Sequence, residues 1–131
     1  MAHPNDDRLR KGYEAFAKAD MDTINELFHD DIVWHVPGDN SISGSYKGKD
    51  EVLSLFGRMF QETAGSLKFE LIDTFANDKR SAAYFEASGE RNGMRLEGRR
   101  GTAIYEVDAN GKVTEARTFP EDSKAFDEFW S

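Results

Sequence analysis

The sequence predicts an α+β fold in which helices close one end of a curled, mainly antiparallel sheet. Three observations predict it. Helical periodicity is concentrated before residue 66, alternating β-rich runs fill residues 67–119, and turn sequences punctuate those runs at Asn77-Asp78, Asn92-Gly93 and Asn110-Gly111. Helices followed by a curled meander form a shape that encloses a pocket, and the ten phenylalanines supply large apolar surfaces to line it.

Over residues 6–19, Leu9, Tyr13, Phe16 and Ala17 share one helical face, with Asp6 and Asp7 placed to favour its N-terminus. Asp20-Met21-Asp22 breaks that pattern. Ile24, Leu27 and Phe28 mark a short second helix ending near His29. Ile32-Val33-Trp34-His35-Val36 is a strand stopped by Pro37-Gly38. Residues 39–48 are polar and glycine-spaced, a loop with room for a very short strand around Ser43–Tyr46. Asp50 is placed to cap a third helix, whose apolar face carries Val52, Leu53, Phe56, Met59 and Phe60 and which Gly65 ends.

Four strands follow. Leu67, Phe69, Leu71, Asp73 and Phe75 share a face of the first; Ala83, Phe85 and Ala87 share a face of the second, opposite Ala82, Tyr84 and Glu86. The third, from about Met94 to Val107, is long enough to need a bulge or kink, most easily at Gly98 or Gly101. Val113, Glu115, Arg117 and Phe119 lie on one side of the fourth. In the tail, Phe126, Phe129 and Trp130 are spaced to dock a final helical turn on the protein.

At 131 residues the chain is expected to form one domain, 1–131, with a core that needs neither metal nor disulfide. Its formal charge of −8 and the lack of a basic stripe argue against nucleic acid as a partner. The absence of cysteine excludes a disulfide scaffold, a thiol nucleophile and a cysteine-ligated metal. No targeting or membrane-spanning stretch is visible, so a cytoplasmic protein that does not engage a membrane is expected. His3, His29 and His35 lack ligand spacing, and His3 falls in a terminus expected to be disordered, so no metal and no cofactor is expected. Gly44-Ser45-Tyr46-Lys47-Gly48 lacks the spacing and ending of a phosphate loop.

The order α-α-β-α-β-β-β-β resembles the cone-shaped fold of the nuclear transport factor 2-like (NTF2-like) superfamily, and more narrowly its SnoaL-like group, which includes polyketide cyclases and relatives of ketosteroid isomerase. The matching stretches are Tyr13…Phe16-Ala17…Asp20, Leu27-Phe28-His29-Asp30-Asp31, Val33-Trp34-His35-Val36-Pro37-Gly38, Gly44 through Val52, and Asn110-Gly111-Lys112-Val113…Arg117, with a familiar tail at Asp122…Phe126 through Trp130. The resemblance implies a curved mixed sheet, a pocket closed by three helices, and a homodimer joined through outer sheet faces. It implies no single activity, because this fold hosts many chemistries and also non-catalytic members. The isomerase's catalytic aspartate positions fall on Val36 and Ala103, and its helix-one tyrosine falls near Gly12 or Tyr13, so ketosteroid isomerisation itself does not fit. Limonene epoxide hydrolases on this fold need an Asp-Arg-Asp set, but here Arg99 is followed two positions on by Gly101.

Candidate catalytic residues are His35, Tyr13 and Asp122. A histidine shuttles protons near neutral pH. But if Trp34 and Val36 face the cavity, His35 points the other way, toward an interface. Tyr13 and Tyr105 can each donate to a carbonyl in an apolar pocket, and Tyr13 can equally be core. Asp122 can serve as a base at a pocket mouth or simply cap the last helix. Candidate ligand-binding residues are Trp34, Val36, Phe56, Phe60, Phe85, Ala103, Tyr105, Arg117 and Phe119, with Arg117 able to orient an anion or to pair with Glu115. Glu86 and Glu97 are read as outward. The expected ligand is a small hydrophobic molecule of polyketide, steroid or terpenoid type, handled by acid–base isomerisation, cyclisation or dehydration. The alternatives are a non-catalytic binding or dimerisation module and a transport-factor-like protein-binding domain.

Overall fold

A computed structural model describes residues 3–131. The element order is α1 (Pro4–Ala17), α2 (Met21–Leu27), β1 (Phe28–Val36), β2 (Gly44–Lys47), α3 (Lys49–Glu62), β3 (Lys68–Ala76), β4 (Arg80–Arg91), β5 (Met94–Val107), β6 (Val113–Pro120) and α4 (Ser123–Phe129). The six strands form one curved sheet in the order β2-β1-β6-β5-β4-β3. Only the β1–β6 pairing is parallel, so the sheet is mixed and mainly antiparallel, as the sequence predicts.

Cross-strand partners share a face, so the registers separate concave from convex residues. Trp34 pairs with Ala116 on one side of the β1–β6 pair, and His35 with Arg117 on the other. Across β4–β5, Ser81, Ala83, Phe85 and Ala87 face Tyr105, Ala103, Gly101 and Arg99 on the concave side. The helices bury their apolar stripes against that side, with Leu9, Ile24, Val52, Leu55 and Phe56 among the buried residues. The expected bend in β5 is at Gly98, whose φ of +58° is in the left-handed region and whose amide donates to Ser88 Oγ at 3.1 Å. Gly101 serves clearance instead. A Cβ there would sit 3.0 Å from Phe85 Cζ and 3.3 Å from the Phe119 carbonyl oxygen.

Local structure departs from expectation where the sequence period breaks. A bulge between Leu71 and Asp73 flips the end of β3, so Phe69, Leu71 and Thr74 pair on the concave side while Phe75 points outward, 61% exposed. On α1 the buried alanine is Ala15, and Ala17 is exposed. Helix α2 stops two residues earlier than expected, because Phe28 and His29 already belong to β1. Helix α3 starts from Gly48, φ +86°, with no side-chain cap; Asp50 lies within its first turn. His3, expected in a disordered end, caps α1: its Nδ1 accepts from the Asn5 amide at 3.1 Å, and its Nε2 pairs with Asp78 at 2.9 Å.

Candidate functional site

Between the concave face and the helices lies a cavity of about 170 Å³. Aromatic rings pack edge to face along its wall. Trp34 meets Phe56 at 4.9 Å and Phe69 meets Phe85 at 5.2 Å, geometries that fix the rings without filling the space. One end is bounded by Asn5, Arg8 and Gly111, the other by Arg99, Asp122, Phe126 and Trp130. At the first end Asn5 Nδ2 donates to the Asn77 carbonyl at 2.9 Å, Arg8 Nη1 donates to Asn5 Oδ1 at 2.7 Å, and the Arg8 guanidinium packs over Gly111, where any side chain would displace it.

The second end is formed by α4. Asp122 Oδ1 accepts from the Ala125 amide at 3.0 Å and caps the helix, while its Oδ2 pairs with Arg99 Nη1 at 3.3 Å. The buried Arg91 clamps the helix from below. Its guanidinium donates to Glu62 at 2.8 Å and to the carbonyls of Phe129 and Ser131 at 3.0 and 2.8 Å, and it lies 5.7 Å from the centre of the Trp130 ring. The loop 38–41 completes the closure: Asp127 accepts from Asn40 Nδ2 at 2.7 Å, and the Trp130 carbonyl accepts from the Ser41 amide at 2.9 Å.

Deep in the cavity Tyr13 and Tyr105 join hydroxyl to hydroxyl at 2.8 Å. Burial pushes the Tyr105 phenol up to about 12, and burial, then the neighbouring Tyr105 oxygen, raises Tyr13 well above its ordinary value of 10. Both are therefore protonated at physiological pH. When one O–H donates to the other oxygen, the acceptor's own proton stays available, so the pair offers one hydrogen-bond donor to a guest. Ser81 stands opposite Tyr105 on β4 and also lines the space.

Of the sequence-predicted residues, Tyr13, Asp122, Trp34, Val36, Phe56, Phe85, Ala103 and Tyr105 line the cavity. The others do not lie on its wall. His35 alternates out to the convex face, where Nδ1 meets Ser45 Oγ and Nε2 meets Glu115 Oε2, each at 2.7 Å. Arg117 shares that face and donates to the same Glu115 oxygen at 3.0 Å. Its pairing there removes the need for an anionic guest. Phe119 is half exposed on the same side. Phe60 stands behind Phe16, ring centres 4.6 Å apart. Sequence reasoning missed Arg99, Ser81, Thr118 and the clamp at Arg91. Arg99 was legible as the inward residue two before Gly101 once the Gly98 bulge is allowed for. Arg91 carried no local signal, because its partners are on α3 and at the chain's end.

The profile of the SnoaL-like domain matches residues 9–116. The chain belongs to that family. Bal32a, from a soil-derived mobile gene cassette, is 36% identical with a TM-score of 0.92, over 97% of this chain and 96% of that one. An uncharacterised protein of Mycobacterium tuberculosis is 29% identical over 126 residues, 95% of each chain. IdmH of Streptomyces antibioticus, a candidate polyketide cyclase, is 20% identical with a TM-score of 0.74, over 95% of this chain and 96% of that one, a likeness of fold. The described residues contain no cluster that could hold a metal ion and no helix long and apolar enough to cross a membrane.

Proposed function

We propose that this SnoaL-like protein is a cytoplasmic homodimer that takes a small, flat hydrophobic molecule with a carbonyl or hydroxyl oxygen, of polyketide, steroid or terpenoid type, into its cavity. The observation that carries this is the Tyr13–Tyr105 pair, a neutral hydroxyl donor deep in a cavity walled mainly by aromatic and aliphatic side chains. Such a donor orients and polarises a carbonyl, which is worth most where water is excluded. The chemistry the site can supply is proton donation at that oxygen and the folding of a flexible substrate against fixed aromatic walls, as a cyclase or dehydratase requires; the likeness to IdmH supports that direction. Asp122 is the carboxylate on the cavity wall, and both its oxygens are engaged.

A non-catalytic binding role is the second reading. Val36 and Ala103, where the isomerases of this fold carry acids, favour it. Titration with 2-acetylnaphthalene, followed by emission of Trp34 in a Trp130→Phe background, tests the shared premise. Saturable quenching in the micromolar range is expected, and an unchanged spectrum up to the solubility limit would overturn it. Turnover of added ketone substrates by the wild type then separates the enzyme from the binding module.

A further inference from the structure

The ionisable side chains on the cavity wall run against the balance of the whole chain. The protein carries 25 acidic and 17 basic residues, yet Arg8, Arg99 and Arg100 line the cavity against the single carboxylate of Asp122. The three arginines are not equivalent. Arg8 is held at the α1 end by Asn5, and Arg100 alternates to the convex side, where it pairs with Glu86 at 3.2 Å and lies 5.8 Å from the centre of the Tyr84 ring. Arg99 pairs across the strands with Ala87, a concave residue, so its stem enters the cavity at the α4 end.

Its guanidinium is underused. A guanidinium carries five N–H donors in a fork that fits a carboxylate. Arg99 makes one long bond, 3.3 Å, to an aspartate whose other oxygen is committed to capping α4, and both side chains remain about half exposed, 54% and 47%. A pair so exposed and so far from bidentate contributes little to stability. It does hold a cation in place beside an apolar enclosure in an otherwise acidic protein.

What lies further in is matched to that cation. Arg99, Gly101, Ala103 and Tyr105 alternate onto the concave face of β5. At about 3.4 Å per residue, Arg99 and Tyr105 are roughly 20 Å apart along the strand. Between them the floor is glycine and alanine, with Thr118 and Pro120 beside them on β6. The strand therefore offers a cation at the mouth, a floor of low side chains, and a hydroxyl donor at depth.

The geometry points to an anionic guest: an elongated apolar molecule whose carboxylate is bound by Arg99 at the α4 mouth and whose carbonyl or hydroxyl oxygen reaches the Tyr13–Tyr105 pair. Arg99 is the residue that selects for the charge, and Asp122 is its internal competitor. The inference rests on the reading of the cavity as a ligand site and adds the chemical class of the ligand.

The test uses 4′-acetylstilbene-4-carboxylic acid, its methyl ester and the neutral 4-acetylstilbene, titrated calorimetrically into wild type, Arg99→Gln and Asp122→Asn. The acid should bind wild type about tenfold more tightly than the ester, the worth of one charge-assisted hydrogen bond. That preference should vanish in Arg99→Gln, with binding of the ester and the ketone unchanged. Asp122→Asn keeps a capping side chain and should raise affinity for the acid severalfold. Equal binding of acid and ester by wild type, a preference that survives in Arg99→Gln, or weaker acid binding by Asp122→Asn would each overturn the assignment while leaving the cavity reading intact. Failure of all three compounds, the neutral ketone included, would overturn the cavity reading itself.

Discussion

Replacing either member of the Tyr13–Tyr105 pair by phenylalanine should cost more than replacing both. The hydroxyls are 2.8 Å apart on α1 and β5, inside an aromatic wall. A hydrogen bond of this kind is worth about 1 kcal/mol net, but removing one partner and leaving the other hydroxyl alone in an apolar site costs about 1–3 kcal/mol in all. Tyr13→Phe or Tyr105→Phe should therefore each destabilise by about 1.5–2 kcal/mol, whereas the double substitution restores an apolar match and should cost no more than about 1 kcal/mol. The coupling energy from the double-mutant cycle is then about 2 kcal/mol or more, within the range of directly bonded pairs. Urea denaturation of the four proteins measures it, and each single substitution should also lower Tm by roughly 6–8 °C for a chain of this size. In parallel, 2-acetylnaphthalene should lose about tenfold in affinity for the double variant while 2-ethylnaphthalene loses none, since only the ketone uses the donor. Additive losses, with the double variant falling by the sum of the singles, would refute the reasoning, because the hydroxyls would then be acting independently.

Two further outcomes follow from other parts of the fold. Burial raises the Glu62 carboxyl, but the bonds from Arg58 and Arg91 outweigh it and hold the group below its ordinary value of 4.5, so the clamp contributes stability above that value and loses it as the pH falls through the lowered one. Urea midpoints should accordingly drop from neutral pH toward about pH 3, more shallowly in Glu62→Gln, and Arg91→Met should cost about 3 kcal/mol with hydrogen exchange accelerating first in α4; equal acid sensitivity of Glu62→Gln and wild type would count against the clamp. On the convex face, Ile72, Phe75 and Phe119 are exposed beside Ile104, so sedimentation velocity at micromolar concentration should show a dimer that Ile104→Asp dissociates, and a monomeric wild type would remove the dimer from the proposal.

The elements that sequence reasoning placed well are those where one period runs uninterrupted. The alternation of Ala83, Phe85 and Ala87 in β4 and the alternation of Trp34 and Val36 against His35 in β1 both survive in the structure because nothing breaks the pleat between them. It missed where a single inserted residue inverts the pattern: the bulge at Ile72 sends Phe75 outward, a change of register that costs little locally and leaves no mark in composition. For the last strand Glu115, Arg117 and Phe119 do share a face, but Val113, read on the same side, lines the cavity instead across an irregularity at Glu106–Val107, and the face itself was not legible. That face is set by the parallel pairing of β1 with β6, a contact between segments about eighty residues apart. The Arg91 clamp was invisible for the same reason, since a buried arginine reads as an exposed one until its carbonyl partners at the chain's end are known.

The cavity's polarity constrains what reaction this scaffold could support. Proton abstraction next to a carbonyl needs a base that is unprotonated at neutral pH and close to the carbon. The concave positions that supply one in the isomerases hold Val36 and Ala103, the tyrosine pair is held protonated by its burial, and His35 lies across the sheet with both ring nitrogens occupied. Asp122 is the remaining carboxylate on the wall, and freeing it would unseat the cap of α4 as well as Arg99. An anionic guest that takes Arg99 would release one oxygen of Asp122, but at the α4 mouth, roughly 20 Å along β5 from the donor pair that holds the carbonyl, so that carboxylate does not reach the carbon next to it. The scaffold therefore supplies a proton donor at the carbonyl with no base beside it, which favours polarising and folding a substrate over enolising it. A bound methyl ketone should accordingly keep its α-protons: in deuterated buffer, exchange followed by NMR should run no faster with the protein than without it, and faster exchange would overturn the argument.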